Sequence, residues 1–160
     1  RGLDDAATGS RFHKLFAEQG VAPARVELLG SSPHADALAL YNQVDVALDT
    51  FPFSGSATTC DALWMGVPVV SLAGETAVGR GGLSILSNVG LAELVAHDSE
   101  QYVRIAAELA NDLPRLGKLR ATLRQRMRNS PLMDAPRFAR NIESAYRAMW
   151  KRWCAKQAAG

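Results

Sequence analysis

An α/β fold, with a parallel sheet covered by helices on both faces, is what this 160-residue sequence predicts. Three observations carry that prediction. The candidate strands are short continuous apolar runs rather than polar/apolar alternations, as strands buried on both faces are. Helical stretches separate them, which calls for right-handed crossovers and parallel pairing. From about residue 98 onward the pattern is helical only, so the sheet belongs to the earlier part of the chain.

Taken in order, a helix is predicted over about 6–19, then a strand over Arg25–Gly30 ("RVELLG"). A short helix over about 35–42 leads to the strand Val44–Asp49 ("VDVALD"). A turn of small residues follows, then a helix over about 57–65 and the strand Pro68–Leu72 ("PVVSL"). "AGETAVGR" is a loop, Gly82–Asn88 a helix and Leu94–Ala96 a short strand. Asp98 or Ser99 can cap the next helix, whose Val103, Ala106, Ala107 and Leu109 form one apolar side. Asp134 before Pro136 opens a last helix, along which Phe138, Ile142, Tyr146 and Met149 make a stripe that wants a partner surface. Such a doubly covered parallel sheet is Rossmann-like, and its ligands sit at the carboxyl ends of the strands. Here those ends are Gly30–His34, Asp49–Thr59 and Ala73–Arg80.

Composition bounds the function. An apolar share of 48% and a charged share of 21% are those of a globular domain, and the length suits one such domain with a real core. A net charge of +2 is too small to argue for nucleic acid. Cys60 and Cys154 fit neither a metal-ligand spacing nor a disulfide framework. Two such cysteines are compatible with a reducing cytosol, and a cytoplasmic location is the expectation. No apolar run approaches the roughly 20 residues that cross a bilayer, so no membrane partner is expected. The polar, helical start from Arg1 resembles no signal peptide; it reads as the approach to a helix within a longer chain.

The turn in "DTFPFSGSATTCDALWMGVPVV", residues 49–70, is the most informative stretch. The first turn of a helix offers unpaired N–H groups and roughly half a positive charge, which suits an anion such as a phosphate. Gly55 permits close backbone approach, and Ser56, Thr58 and Thr59 add hydroxyls at the same point. Asp61 shares a helix face with Thr58. It can accept hydrogen bonds from ribose hydroxyls, or it can close a capping box, Thr58-x-x-Asp61, at the helix start. Both readings stand at this point. Cys60, on another face, reads as a small buried hydrophobe rather than a nucleophile.

Other candidates are weaker. Ser32 and His34 precede a helix, and His34 is as much a ribose or base ligand as a helix decoration. Glu75 and Arg80 stand in the next strand-end loop, where Arg80 either meets a phosphate or pairs with Glu75. Arg115, Lys118, Arg120, Arg124, Arg126 and Arg128 run without an intervening acid and without aromatics, which favours a solvated helix face over a nucleic-acid or acidic-protein surface.

"YNQVDVALDTFPFSGSATTCDALWMGVPVVSLAGE" and "SPLMDAPRFARNIESAYRAMW" are similar to segments of the protein O-GlcNAc transferases and their SPINDLY-type relatives. The resemblance covers about Arg25 to Trp150. It implies the carboxyl-terminal, donor-binding lobe of a GT-B glycosyltransferase, which moves a sugar with inversion from a nucleoside diphosphate to a Ser or Thr hydroxyl. It implies no cofactor and no metal, helix dipoles and side chains taking the ion's place at the diphosphate. UDP-GlcNAc is the donor it favours; GDP-fucose, as in SPINDLY-like enzymes, is the alternative. The family's helical repeats and amino-terminal lobe would then be partners elsewhere in a longer chain, the lobe carrying the general base, and this piece alone would be inactive.

Position by position, the resemblance assigns Ser32 to the base, His34 and Asp61 to the ribose, and Ser56, Ala57 and Thr58 to the diphosphate. The chain departs from its relatives at Ala37, where they carry histidine, and at Ser56-Ala57, where they carry histidine or glycine followed by threonine. These departures favour a third reading, a sugar-nucleotide-binding module without turnover. A Rossmann-like epimerase is a more distant rival. No catalytic residue is assigned.

Overall fold

The computed structural model of the chain describes residues 5–158. The chain divides into two compact units, one ending at Leu40 and the other beginning at Tyr41.

The smaller unit opens with α1, Ala6–Glu18, capped by Asp5, whose carboxylate accepts from the Thr8 N–H at 2.7 Å. A 3₁₀ turn over Pro23–Arg25 leads through an irregular stretch to α2, His34–Leu40. The strand expected at Arg25–Gly30 does not form. Pro23 sets a helical turn that takes in Arg25, and residues 26–30 join no sheet among the described residues. Leu29 is left exposed and Val26 and Leu28 only half-buried, so the apolar run lacks the double cover its composition suggested.

The larger unit holds a three-stranded parallel sheet of order β1-β2-β3: Ala47–Leu48, Val69–Leu72 and Val95–Ala96. Ala47 pairs with Val69 and Leu48 with Val70; Ser71 pairs with Val95 and Leu72 with Ala96. Neighbouring side chains of a strand point to opposite faces, and Val69, Val70 and Ser71 are all buried, so both faces of β2 are covered. The helices that cover it are α3, Ala57–Trp64; α4, Gly81–Asn88; and α5, Ser99–Asn111. The strands are shorter than the apolar runs because only these residues find ladder partners.

Both crossover helices stop by the same device. After α3, the Gly66 N–H donates to Leu63 O and the Val67 N–H to Ala62 O, with Gly66 at φ 83°. After α4, Gly90 at φ 73° repeats the pattern with Ser87 and Leu86. This left-handed ending costs glycine little and turns the chain back toward the next strand. Leu63, Leu86, Leu91, Leu94, Leu109 and Leu123 are fully buried and form the centre of one core.

Aspartates start the remaining helices. Asp98 caps α5 through the Gln101 N–H at 2.7 Å, and the Gln101 side chain takes the His97 N–H at 2.8 Å. Asp112 caps α6, Leu113–Arg128, and Asp134 accepts from the Arg137 N–H at 2.9 Å at the head of α7, Ala135–Ala158.

The basic run of α6 is less solvated than its composition implies. Arg120 donates to Val44 O and lies 3.7 Å from Asp45. Arg124 Nε donates to Trp64 O at 2.7 Å, and Arg126 donates to Gly90 O at 3.2 Å. The guanidiniums of Arg124 and Arg128 both lie over the Trp64 ring, at 5.6 and 5.7 Å from its centroid. These cations fasten α6 to backbone ahead of β1, at the end of α3 and just after α4. The α7 stripe is exposed: Phe138, Tyr146, Met149, Trp150 and Trp153 all face outward, the two tryptophans stacked at 5.1 Å.

Candidate functional site

Asp49 closes β1 and organises the turn behind it. The residue is 8% exposed. One carboxylate oxygen accepts from the Gly55 N–H at 2.7 Å and the other from the Ser71 hydroxyl at 2.6 Å. Its backbone carbonyl accepts from the Tyr102 hydroxyl at 2.7 Å. Ser54, also buried, donates to Val78 O at 2.9 Å and accepts from the Gly82 N–H at 3.3 Å. The turn is thus tied to β2, to α5 and to the loop that opens α4. Clearances are small: a Cβ at Gly82 would overlap Ser71 Oγ and lie 2.7 Å from Asp49 Oδ2.

The start of α3 is left open. Ser56 is the cap residue by position, yet its side chain makes no capping bond. The capping box suggested by Thr58 and Asp61 is not made, since Thr58 lies inside the helix rather than at its head. Ser56, Ala57 and Thr58 are exposed. The hydroxyls of Thr58 and Thr59 crowd around Gly55, 2.9 and 2.5 Å from where its Cβ would stand. A recess of about 180 Å³ lies against this turn, lined by Tyr41, Asp49, Gly55, Thr58 and Thr59 among others. The geometry offers uncapped N–H groups, the exposed Thr58 and a helix dipole at one place, with the buried Thr59 behind them.

Asp61 is half-buried on α3, and its carboxylate makes no hydrogen bond or ion pair among the described residues. Its charge is felt nearby. Burial pushes the Tyr41 phenol and the Cys60 thiol up, and the Asp61 carboxylate adds to both shifts. Tyr41 keeps its proton on Thr58 O at 3.2 Å. Cys60 is therefore a half-buried, poorly ionised thiol, as its sequence context suggested.

The other candidates are placed as follows. Arg80 is exposed and donates to Gly74 O at 3.3 Å; it forms no ion pair with Glu75, which is also exposed. In the smaller unit, Ser32 lines a depression of about 300 Å³ with Leu29, Gly30 and Asp36, and His34 is the exposed first residue of α2. Neither follows a strand, because the strand expected before them is absent. Among the described residues no cluster of three or more His, Cys, Asp or Glu could hold a metal ion, and no helix is long and apolar enough to cross a membrane. Sequence reasoning missed Asp49, Ser71 and Tyr102; the signal available was an acid at a strand end six residues before a glycine.

A parallel sheet with an open helix start beyond its first strand is a Rossmann-like frame, the kind that binds ligands at the carboxyl ends of its strands. Residues 5–142 match the family model described as Glycosyl transferase family 41, and the chain belongs to that family. It is 46% identical, with a TM-score of 0.90, to the structure described as "Thermobaculum terrenum O-GlcNAc transferase mutant - K341M", over 99% of this chain and 30% of that one. It is 44% identical over 145 residues to the Solanum lycopersicum protein named "Probable UDP-N-acetylglucosamine--peptide N-acetylglucosaminyltransferase SPINDLY". That match takes in 90% of this chain and 16% of the tomato protein. To the Caenorhabditis elegans "UDP-N-acetylglucosamine--peptide N-acetylglucosaminyltransferase" it is 31% identical over 140 residues, 88% of this chain and 12% of that protein. The resemblance stated from the sequence is therefore borne out, as is the Rossmann-like α/β class with its helical end.

Proposed function

We propose that this chain is the donor-binding lobe of an inverting O-linked glycosyltransferase that moves GlcNAc from UDP-GlcNAc to Ser or Thr hydroxyls of proteins. The observation that carries the proposal is the uncapped start of α3, with Ser56, Ala57 and Thr58 exposed and the Thr58 and Thr59 hydroxyls gathered around Gly55. In this reading the N–H groups there hold the donor diphosphate. Negative charge grows on that group as the sugar–oxygen bond breaks, so fixed dipoles aimed at it act where catalysis gains most. The partnerless Asp61 carboxylate takes the ribose hydroxyls; Ser32 and His34 keep the base and ribose roles that the sequence resemblance implies for them. Glu75 and Arg80 are left as reserve contacts. The general base and the acceptor site belong to an amino-terminal lobe, and no metal or other cofactor takes part. A cytoplasmic location goes with this reading.

GDP-fucose, the alternative donor implied by the sequence resemblance to SPINDLY-type enzymes, is the second reading. Calorimetric titration of the full-length protein with UDP, GDP and their sugars separates the two. Binding of UDP and UDP-GlcNAc is expected. Tight GDP binding without UDP binding would shift the assignment to fucose, and silence from both nucleotides would remove the transferase reading.

A further inference from the structure

We propose that Asp49 is the positioning residue of the phosphate turn: it locks Gly55 to β2 so that the start of α3 stays open to a nucleoside diphosphate. This rests on the donor-lobe reading above and deepens it.

A buried carboxylate is a costly choice for a strand end unless hydrogen bonds compensate it. No Lys or Arg forms an ion pair with Asp49 among the described residues. It is satisfied by two donors instead, the Gly55 N–H at 2.7 Å and the Ser71 hydroxyl at 2.6 Å. Close to a diphosphate its charge would also be repulsive. Electrostatics therefore gives no reason for it at this place, and geometry does. A carboxylate offers acceptors on two oxygens, and these two tie the Gly55 turn to Ser71 of β2, which lies 22 residues along the chain from Asp49.

The consequence lies in what the turn can then present. With the Gly55 N–H turned inward onto Asp49, the N–H groups of the first turn of α3 are the ones left toward solvent. Gly55 has no room to relax, since the Thr58 and Thr59 hydroxyls stand 2.9 and 2.5 Å from its missing Cβ. Gly82 closes the far side, its own missing Cβ 2.7 Å from Asp49 Oδ2. The Tyr102 hydroxyl holds the backbone of Asp49 from α5 at 2.7 Å. Asp49 is thus braced from three directions, a buried residue at the wall of the recess whose carboxylate oxygens are turned onto Gly55 and Ser71.

The test uses the full-length protein and compares a nucleoside with its diphosphate. UDP is titrated by calorimetry and uridine by NMR, with GDP and guanosine as the parallel pair. Asp49→Ala is expected to weaken diphosphate binding at least tenfold while leaving nucleoside affinity within about twofold. Asp49→Asn keeps an acceptor for Gly55, and its amide can donate to the Ser71 oxygen, so it should recover most of the loss. If Asp49→Ala does not fold, Ser71→Ala loosens the same carboxylate and should cost about threefold, again for the diphosphate alone. A folded variant with unchanged UDP and GDP affinity, or an equal loss for nucleoside and diphosphate, overturns the assignment. Failure of the wild-type protein to bind either diphosphate is a different result, and it would remove the donor-lobe reading itself.

Discussion

Arg124 closes the carboxyl end of α3 through Trp64: its Nε donates to the Trp64 carbonyl at 2.7 Å while its guanidinium lies 5.6 Å from the indole centroid. One side chain thus satisfies an unpaired helix carbonyl, complements the helix dipole and covers an aromatic face. Arg124→Ala should lower stability by about 1–2 kcal/mol, combining a lost hydrogen bond to a charged group with the cation–π contact. Arg124→Lys should recover less than half, because an ammonium cannot place a planar donor over the ring. Thermal unfolding of both variants checks this.

Two glycines should respond in opposite senses to the same change. Gly82→Ala forces a methyl between Ser71 and Asp49, where a Cβ would lie 2.7 Å from Asp49 Oδ2. A loss of about 1–3 kcal/mol is expected. Gly117, inside α6, has nothing within 4 Å of its would-be Cβ. Gly117→Ala should therefore add about 0.5–1 kcal/mol through helix propensity. Denaturant midpoints of the pair decide the matter, and a stable Gly82→Ala would contradict the packing described here.

Removing the Asp61 charge should be felt at a thiol. Burial raises the Cys60 pKa first, and the Asp61 carboxylate raises it further. Asp61→Asn lifts the second cause, so more thiolate forms at a given pH and alkylation of Cys60 near pH 8 should quicken. An unchanged rate would mean that the carboxylate does not reach the sulfur. In the full-length protein Asp61→Ala should weaken nucleotide binding by about 1–3 kcal/mol if a ribose hydrogen bond is lost. Stability should change little, because the carboxylate holds no partner in the fold.

Tyr102 should leave a mark on the alkaline side. Burial raises its pKa above 10.0 and the nearby Asp49 charge adds to the shift. The native state then keeps the proton where the unfolded chain loses it, so this group's contribution is intact below pH 10.0 and declines as pH rises beyond it. Tyr102→Phe removes the hydroxyl bond to Asp49 O and should cost about 1 kcal/mol at neutral pH. It should also flatten part of the decline above pH 10.0. Stability measured at pH 8 and at pH 10.5 in both proteins tests the sign.

The elements that were legible in the sequence are those whose signals are local. Asp98 and Asp134 announced their helices because a cap acts three residues away. The runs at Val44–Asp49 and Pro68–Leu72 became β1 and β2 because burial on both faces needs no alternation. The segment after Pro23 failed because an apolar run does not reveal whether a ladder partner exists. At the site, the open helix start was foreseen from its small residues, whereas its support was not. Ser71 and Tyr102 lie 22 and 53 residues from Asp49, and only the folded chain joins them. The arginines of α6 misled for the same reason: a run of cations in sequence does not show which carbonyls lie within reach.

Those carbonyls also make the mooring of α6 indifferent to acid. Amide oxygens do not take up protons where carboxylates do, and a guanidinium stays charged throughout. The bonds from Arg120, Arg124 and Arg126 to Val44, Trp64 and Gly90 should therefore outlast the protonation that dissolves carboxylate contacts. In a solution taken gradually toward acid, the pairing of α6 with α3 is the part of the larger unit that should let go last.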